Sequence, residues 1–101
     1  MMTARQVSKI RKSFNGENQR MIFKILGDKN RYRIFETLIH HPQLTVSDLA
    51  KILEISIPLS SQHLKILEQG NILKKEKLGQ KVYYTLQTNN RIAQSISLKL
   101  I

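Results

Sequence analysis

The fold of this chain is decided by residues 44–70, which read LTVSDLAKILEISIPLSSQHLKILEQG. Thr45 can cap a first helix, because Asp48 stands three residues later and completes a capping box. Apolar residues recur at helical spacing after this cap. Ser56 is a good cap for a second helix, and Gly70 predicts a left-handed residue at the end of that helix. Two helices separated by so few residues predict a helix-turn-helix.

The second helix has two different faces when its residues are placed about 100° apart around the axis. Its inner face carries Ser60, His63, Leu64 and Leu67. Its outer face carries Pro58, Ser61, Gln62, Lys65 and Gln69. Short polar groups, an amide and a cation are side chains that read base edges and bind phosphate oxygens in a major groove. The alternative interpretation is an ordinary solvated helix face.

A basic hairpin is predicted directly after this helix, where residues 71–86 read NILKKEKLGQKVYYTL. Two extended runs surround a turn at Gly79, and the second run is rich in β-branched and aromatic residues. Lys77 and Lys81 flank the turn and Gln80 stands at its tip. We therefore expect these side chains to reach phosphates or an adjacent minor groove, as the wing of a winged helix. An ordinary surface hairpin with solvating lysines is the alternative.

Four segments in this order resemble the ArsR-type family of winged-helix transcriptional repressors. They are LGDKNRYRIFETL at residues 26–38, LTVSDLAKIL, SIPLSSQHLKILEQGNI and GQKVYYTL. The resemblance spans residues 22–86 and implies a winged helix-turn-helix that binds DNA. It also implies that the region of Arg31 lies near the DNA backbone, although a salt bridge to a carboxylate is an equal alternative for this side chain. The candidate DNA-binding residues are Arg31, Ser56, Pro58, Leu59, Ser61, Gln62, Lys65, Lys77, Gln80 and Lys81.

Metal sensing is not expected, although many members of the resembling family sense metals through cysteines in the first helix of the pair. Thr45 and Ser47 stand at the matching positions, and the chain has no cysteine. A second family site uses acidic residues and histidine on the C-terminal helix, whereas residues 87–101 contain none of these. His40 and His41 are adjacent, so they point in different directions and form a poor chelate. We expect no metal site, no cofactor and no catalytic residue.

The composition indicates one domain with a polyanionic partner. The chain has 101 residues and a formal net charge of +10, beyond the magnitude of about 2–8 usual for a small domain. Basic residues dominate residues 1–33 and 56–101, whereas residues 34–55 are net acidic. Such a charge fits DNA, because neutralised phosphates release counterions. No apolar run is long enough to span a membrane, and the N-terminus lacks a signal-peptide core. We therefore expect a cytoplasmic protein.

The two ends of the chain have separate interpretations. Residues 1–16 form a basic extension whose residues 3–14 could be helical; an arm on DNA, part of a dimer interface and a partly disordered tail are all open. Residues 17–101 form the winged helix-turn-helix and dimerisation domain. The last segment has an apolar stripe that we expect to pack against residues 17–26 and a second subunit. The candidate dimer-interface residues are Met21, Ile22, Ile25, Ile92, Ile96 and Leu100.

The predicted fold class is α+β, mainly α with a β-hairpin, in the order α-α-α-α-β-β-α with or without an extra N-terminal helix. The predicted function is sequence-specific operator binding by a homodimeric repressor that lacks the metal-sensing ligands of its apparent relatives. Two other classes stay open. A non-specific or architectural DNA-binding protein is favoured by the high charge. A winged-helix module for protein contacts is disfavoured by the polar, basic outer face. An enzyme is not expected.

Overall fold

The structure of the chain, a computed structural model, describes residues 1–14 and 17–87. Within these residues five helices are followed by a β-hairpin, as in a winged helix-turn-helix. The elements are α1 (Ala4–Phe14), α2 (Glu17–Leu26), α3 (Lys29–His40), α4 (Val46–Leu53), α5 (Ile57–Gln69), β1 (Leu73–Leu78) and β2 (Lys81–Leu86). The predicted order of four helices and two strands is confirmed, and α1 is the extra N-terminal helix. The predicted last helix lies outside the described residues.

Side-chain caps begin α1 and α3. At the start of α1 the Gln6 N–H donates to Thr3 Oγ1 over 3.2 Å, and the Thr3 N–H donates to Gln6 Oε1 over 2.8 Å. At the start of α3, Asp28 Oδ1 accepts from the N–H groups of Asn30 and Arg31 at 2.9 and 3.1 Å. These bonds satisfy N–H groups that have no partner within the helix.

The helix pair forms where its caps predict it. The Asp48 N–H donates to Thr45 Oγ1 over 3.1 Å, and the Thr45 N–H donates to Asp48 Oδ2 over 3.0 Å, so α4 begins with a complete capping box. Ser56 Oγ accepts from the Leu59 N–H at 3.2 Å and begins α5. Between the helices Glu54 adopts a left-handed backbone at φ 57°, which turns the chain sharply after α4.

The prediction of a left-handed residue at Gly70 is wrong. Gly70 caps α5 with φ −83°, and the next residue, Asn71, is the left-handed one with φ 58°. The glycine serves close packing instead, because a Cβ atom there would lie 2.5 Å from Cδ1 of Ile25 in α2. A side chain at position 70 would therefore require the end of the Ile25 side chain to move.

The hairpin is antiparallel and its register pairs Leu78 with Lys81 across a two-residue turn. Gly79 supplies the positive φ of 65° that a tight hairpin turn requires. The side chain of Tyr84 points inward and is buried. Its backbone pairs with Leu44 on the edge of β2 opposite β1, where the Tyr84 N–H donates to the Leu44 carbonyl over 2.8 Å. This bridge ties the hairpin to the segment that leads into α4.

One hydrophobic core joins the helices to the hairpin. Its fully buried members are Ile34, Phe35, Leu38, Leu49, Leu64, Leu67, Ile72 and Leu73. Leu64 and Leu67 belong to the predicted inner face of α5, and Ser60 and His63 on the same face are also buried, so this prediction is confirmed. None of the described helices is long and apolar enough to cross a membrane.

Candidate nucleic-acid interface

The outer surface of α5 is open to solvent along its whole length. All five residues predicted for it are exposed: Pro58, Ser61, Gln62, Lys65 and Gln69. Ser56 and Leu59, the remaining candidates of this helix, are exposed at its start. The face thus presents a hydroxyl, two amides and a cation to solvent from a helix whose opposite side is anchored in the core.

Ser60 fixes the start of α5 against α4. Its side chain is fully buried, and its Oγ donates to the Val46 carbonyl in the first turn of α4 over 3.1 Å. A buried hydroxyl is costly without a partner, so this bond removes a penalty as well as joining the helices. The bond lies at the N-terminal end of α5, the end that contacts base edges in helix-turn-helix proteins.

A polar cluster lies beneath the middle of α5, centred on His63. Arg31 Nε donates to the Ile25 carbonyl at the end of α2 over 2.8 Å, and its Nη1 lies 3.4 Å from His63 Nδ1. Asp28 Oδ1 lies 4.0 Å from the same nitrogen. The cluster therefore links the end of α2 and the start of α3 to α5.

Asp28 is held ionised within this cluster. The backbone N–H of Arg31 lowers the pKa of the Asp28 carboxyl, burial opposes that change, and the nearby charges of Arg31 and His63 lower the pKa further. Two nitrogens of the Arg31 guanidinium, Nε and Nη1, thus make contacts inside the chain. Its predicted contact with the DNA backbone stays a prediction.

The wing presents two exposed lysines near its turn. Lys74 pairs with Glu76 at 3.3 Å and Lys75 with Glu68 at 3.6 Å. No carboxylate of the described residues forms an ion pair with Lys77 or Lys81, and both are exposed together with Gln80 at the tip. The hairpin register places Lys77 and Lys81 on opposite faces, because the first pairs with Val82 and the second with Leu78.

Lys81 begins β2, the strand that is bridged to Leu44 in the segment leading into α4. Its charge is one of the smaller causes that lower the pKa of the Asp48 carboxyl, after the Thr45 N–H and hydroxyl of the capping box. Lys77, on the opposite face of the hairpin, has no such effect on Asp48. The two lysines are therefore not equivalent in position, which sequence reasoning did not foresee.

The candidate dimer residues of α2 divide into two groups. Ile22 and Ile25 are buried in the core of the chain itself. Met21 is 52% exposed, and Phe23, which sequence reasoning did not select, is 54% exposed. Ile92, Ile96 and Leu100 lie outside the described residues. Among the α2 candidates, Met21 is the side chain that a second subunit could contact without rearranging the core.

The last residue of α3, His40, and its cap, His41, border a shallow cavity of 380 Å³, which is also lined by Glu36, Thr37 and Ile52. In the part of the chain that the structure describes, no three His, Asp or Glu side chains converge as a metal site would need. Thr45 and Asp48, at the start of α4, are occupied by the capping box. Thr45 and Ser47, which stand at the positions of the family's thiol site, carry hydroxyl groups, and the Thr45 hydroxyl is used by the helix cap.

Sequence reasoning missed Ile57, the first residue of α5. Its side chain is 52% exposed, and Leu59 beside it is 36% exposed. The segment Ile57-Pro58-Leu59 is an apolar tripeptide at the start of a helix whose outer face is otherwise polar. An uninterrupted apolar run directly after an N-cap was the available signal.

The chain matches a family model described as a helix-turn-helix domain over residues 26–76. It is 36% identical over 67 residues to the transcriptional repressor SdpR of Bacillus subtilis, covering 66% of this chain and 73% of SdpR. It is 38% identical over 65 residues to the cadmium resistance transcriptional regulatory protein CadC of Listeria innocua serovar 6a, covering 64% of this chain and 55% of CadC. The chain thus spans about half the length of CadC.

A solved structure has a similar fold. Reduced HlyU from Vibrio cholerae superposes with a TM-score of 0.76 at 26% identity, covering 89% of this chain and 92% of HlyU. The match extends well beyond the helix pair, so the arrangement of the remaining helices and the hairpin is shared as well.

Proposed function

We propose that this chain, which belongs to the ArsR family of winged helix-turn-helix transcriptional regulators, represses transcription by binding a specific operator as a homodimer. The observation that carries the proposal is the polar, exposed outer face of α5, held from behind by the Ser60 hydroxyl and the His63 cluster. A rigid helix with a free polar face suits base readout, because base contacts require fixed geometry. We place this activity in the cytoplasm, where it would have access to DNA.

In the proposed complex α5 enters a major groove and the wing contacts the flanking backbone. Ser61, Gln62 and Lys65 would face the groove, with the amide positioned to bond adenine N6 and N7 together. Lys77, Gln80 and Lys81 would bind phosphates, which position the protein without reading sequence. The acidic segment at residues 34–55 lies between two basic stretches of sequence and is not proposed to contact DNA.

Gln62 is expected to carry base specificity. Gln62→Ala should weaken binding to a selected operator by about 1–3 kcal/mol and leave binding to random DNA nearly unchanged. Gln69→Ala is the matched control, because Gln69 shares the outer face but lies about 10 Å further along the helix axis. Fluorescence anisotropy on both duplexes would measure the effect. Equal weakening on operator and random DNA would exclude Gln62 from base readout.

The wing lysines are expected to contribute to affinity on every sequence. Replacing Lys77 or Lys81 by glutamine should reduce the slope of log K against log salt concentration by about one for each phosphate that the variant no longer neutralises. Lys75→Gln is the control, because Lys75 already pairs with Glu68 at the base of the hairpin. Titrations at several salt concentrations would give the slopes. A slope unchanged in both variants would place the wing away from DNA.

Metal control is not part of the proposed function. The chain has no cysteine, and the positions matching the family's thiol site hold Thr45 and Ser47, of which Thr45 is used as a helix cap. Operator affinity should therefore change by less than about tenfold, or about 1.4 kcal/mol of coupling, when cadmium, zinc or arsenite is added. A larger change that a chelator reverses would establish a metal site and overturn this part of the proposal.

Non-specific coating of DNA is a second candidate function, favoured by the net charge of +10. Both functions predict tight, salt-dependent binding, so affinity alone does not separate them. Selection of duplexes from a random-sequence library by the purified chain does separate them. A repressor enriches a defined, two-fold symmetric site, whereas a coating protein enriches none.

A further inference from the structure

The first turn of α5 is apolar and faces solvent. Ile57, Pro58 and Leu59 are all exposed, whereas the buried side of the helix begins at Ser60. Elsewhere in the helix pair the exposed large apolar side chain is Ile52, on α4. None of these three residues belongs to the hydrophobic core or to the side chains packed against it, so their exposed apolar surface points to a contact made outside the chain.

The position of this turn indicates what that contact is. In helix-turn-helix proteins the N-terminal residues of the second helix contact base edges in the major groove. The apolar group that distinguishes one base from the others there is the 5-methyl group of thymine, and the other distinguishing groups are hydrogen-bond donors or acceptors. Isoleucine and leucine cannot form hydrogen bonds with these donors and acceptors. Packing against a methyl group instead removes their apolar surface from water, which is favourable.

We infer that the exposed side chains of the first turn of α5, Ile57 foremost, read thymine methyl groups, so that each half-site carries A·T pairs opposite this turn. The inference rests on the proposed function and specifies its ligand. Gln62 follows Ile57 by about 7.5 Å along the helix axis, and its amide is suited to adenine. The expected half-site therefore carries thymine opposite the start of the helix and adenine further along it.

The test removes single methyl groups from DNA. The probe is the duplex most enriched from a random-sequence library by the wild-type chain, compared with copies in which one thymine at a time is replaced by deoxyuridine. Base pairing is unchanged and only the methyl group is removed. Wild-type affinity should fall about fourfold at one or two thymines of each half-site, the factor that corresponds to about 0.8 kcal/mol for one buried carbon group.

Protein variants complete the test as a double-mutant cycle. Ile57→Ala should bind the thymine duplex several-fold more weakly than the wild type and should no longer distinguish thymine from uracil at the affected positions. Leu59→Ala tests the neighbouring side chain in the same way. Ile52→Ala is the control, because Ile52 is 46% exposed but lies on α4, and it should keep the full discrimination.

Each outcome is decisive. Loss of discrimination in Ile57→Ala or Leu59→Ala, with discrimination kept in Ile52→Ala, supports the inference. An enriched duplex that the wild type binds equally well with thymine or uracil overturns the inference and leaves the proposed function standing. If both Ile57→Ala and Leu59→Ala still distinguish thymine from uracil, the inference is likewise overturned and the proposed function still stands. A library from which no sequence is enriched overturns the proposed function as well.

Discussion

Leu64→Ala is expected to lower the free energy of unfolding by about 2–5 kcal/mol, whereas Leu59→Ala should change it by about 0.5 kcal/mol or less. The two residues lie in the same helix and lose the same atoms. Leu64 is fully buried in the core, while Leu59 is 36% exposed. The difference arises because truncation at Leu64 removes fully packed methyl groups and leaves a cavity, whereas the space left by truncation at Leu59 opens to solvent.

Urea unfolding followed by circular dichroism would measure both variants. Domains of this size are stable by about 5–15 kcal/mol, so Leu64→Ala should remain measurable but show a much lower midpoint. Leu59→Ala should instead show its effect on operator affinity, at unchanged stability. Similar unfolding midpoints for the two variants would contradict the burial of Leu64 and the exposure of Leu59.

Ile96→Asp is expected to convert a dimer into monomers and to weaken operator binding by about 10²–10⁴-fold. The reason is that a dimer engages two half-sites about 34–36 Å apart, so the second contact is intramolecular in a dimer and absent in a monomer. An aspartate at an apolar interface would be buried without a partner, which is strongly unfavourable. This proposal rests on the apolar spacing of Ile92, Ile96 and Leu100 in the sequence.

Sedimentation velocity at several concentrations would test the dimer, with Ile52→Asp as control. Ile52 is an exposed isoleucine on α4, so the control introduces the same charge at a site outside the proposed interface and should leave the association state unchanged. Met21→Asp, on the exposed side of α2, should weaken association if that helix takes part. A monomeric wild type, or a dimer that persists in Ile96→Asp, would exclude the proposed interface.

The features predicted from sequence are those set by local chemistry. The capping box of Thr45 and Asp48 and the cap at Ser56 depend on residues at most three positions apart, so the bounds of α4 and α5 could be predicted closely. The inner face of α5 followed from helical spacing alone. The hairpin turn followed from Gly79, whose positive φ few other residues adopt.

The features that escaped prediction depend on contacts between distant segments. The contact between Arg31 and His63 joins residues 32 positions apart, and no local pattern indicates it. The sequence predicts a left-handed backbone at Gly70 because many helices end with a residue in that conformation. In the structure, the feature that favours a glycine there is the close approach of Ile25 from another helix. Ile22 and Ile25 were selected for a dimer interface because the sequence does not show that the chain covers them itself.

The candidate DNA-binding surface stays a prediction at the level of single residues. Exposure and charge support the outer face of α5 and the tip of the wing, and the family membership supports DNA binding as such. The exposed apolar first turn could not be recognised from spacing, because an apolar side chain at the start of a helix is ordinarily expected to join the core. Only the exposure of Ile57 in the folded chain separates it from the core.

The free edge of β1 has a consequence for aggregation. Among the described residues β1 pairs only with β2, so the N–H and C=O groups of its outer edge are available to a strand from another molecule. Lysine side chains along an edge strand oppose such pairing, because a second copy would bring like charges together. Lys74, Lys75 and Lys77 occupy three of the six positions of β1. The charges of the wing therefore also keep neighbouring molecules from extending the sheet, and that protection is greatest where no DNA neutralises them.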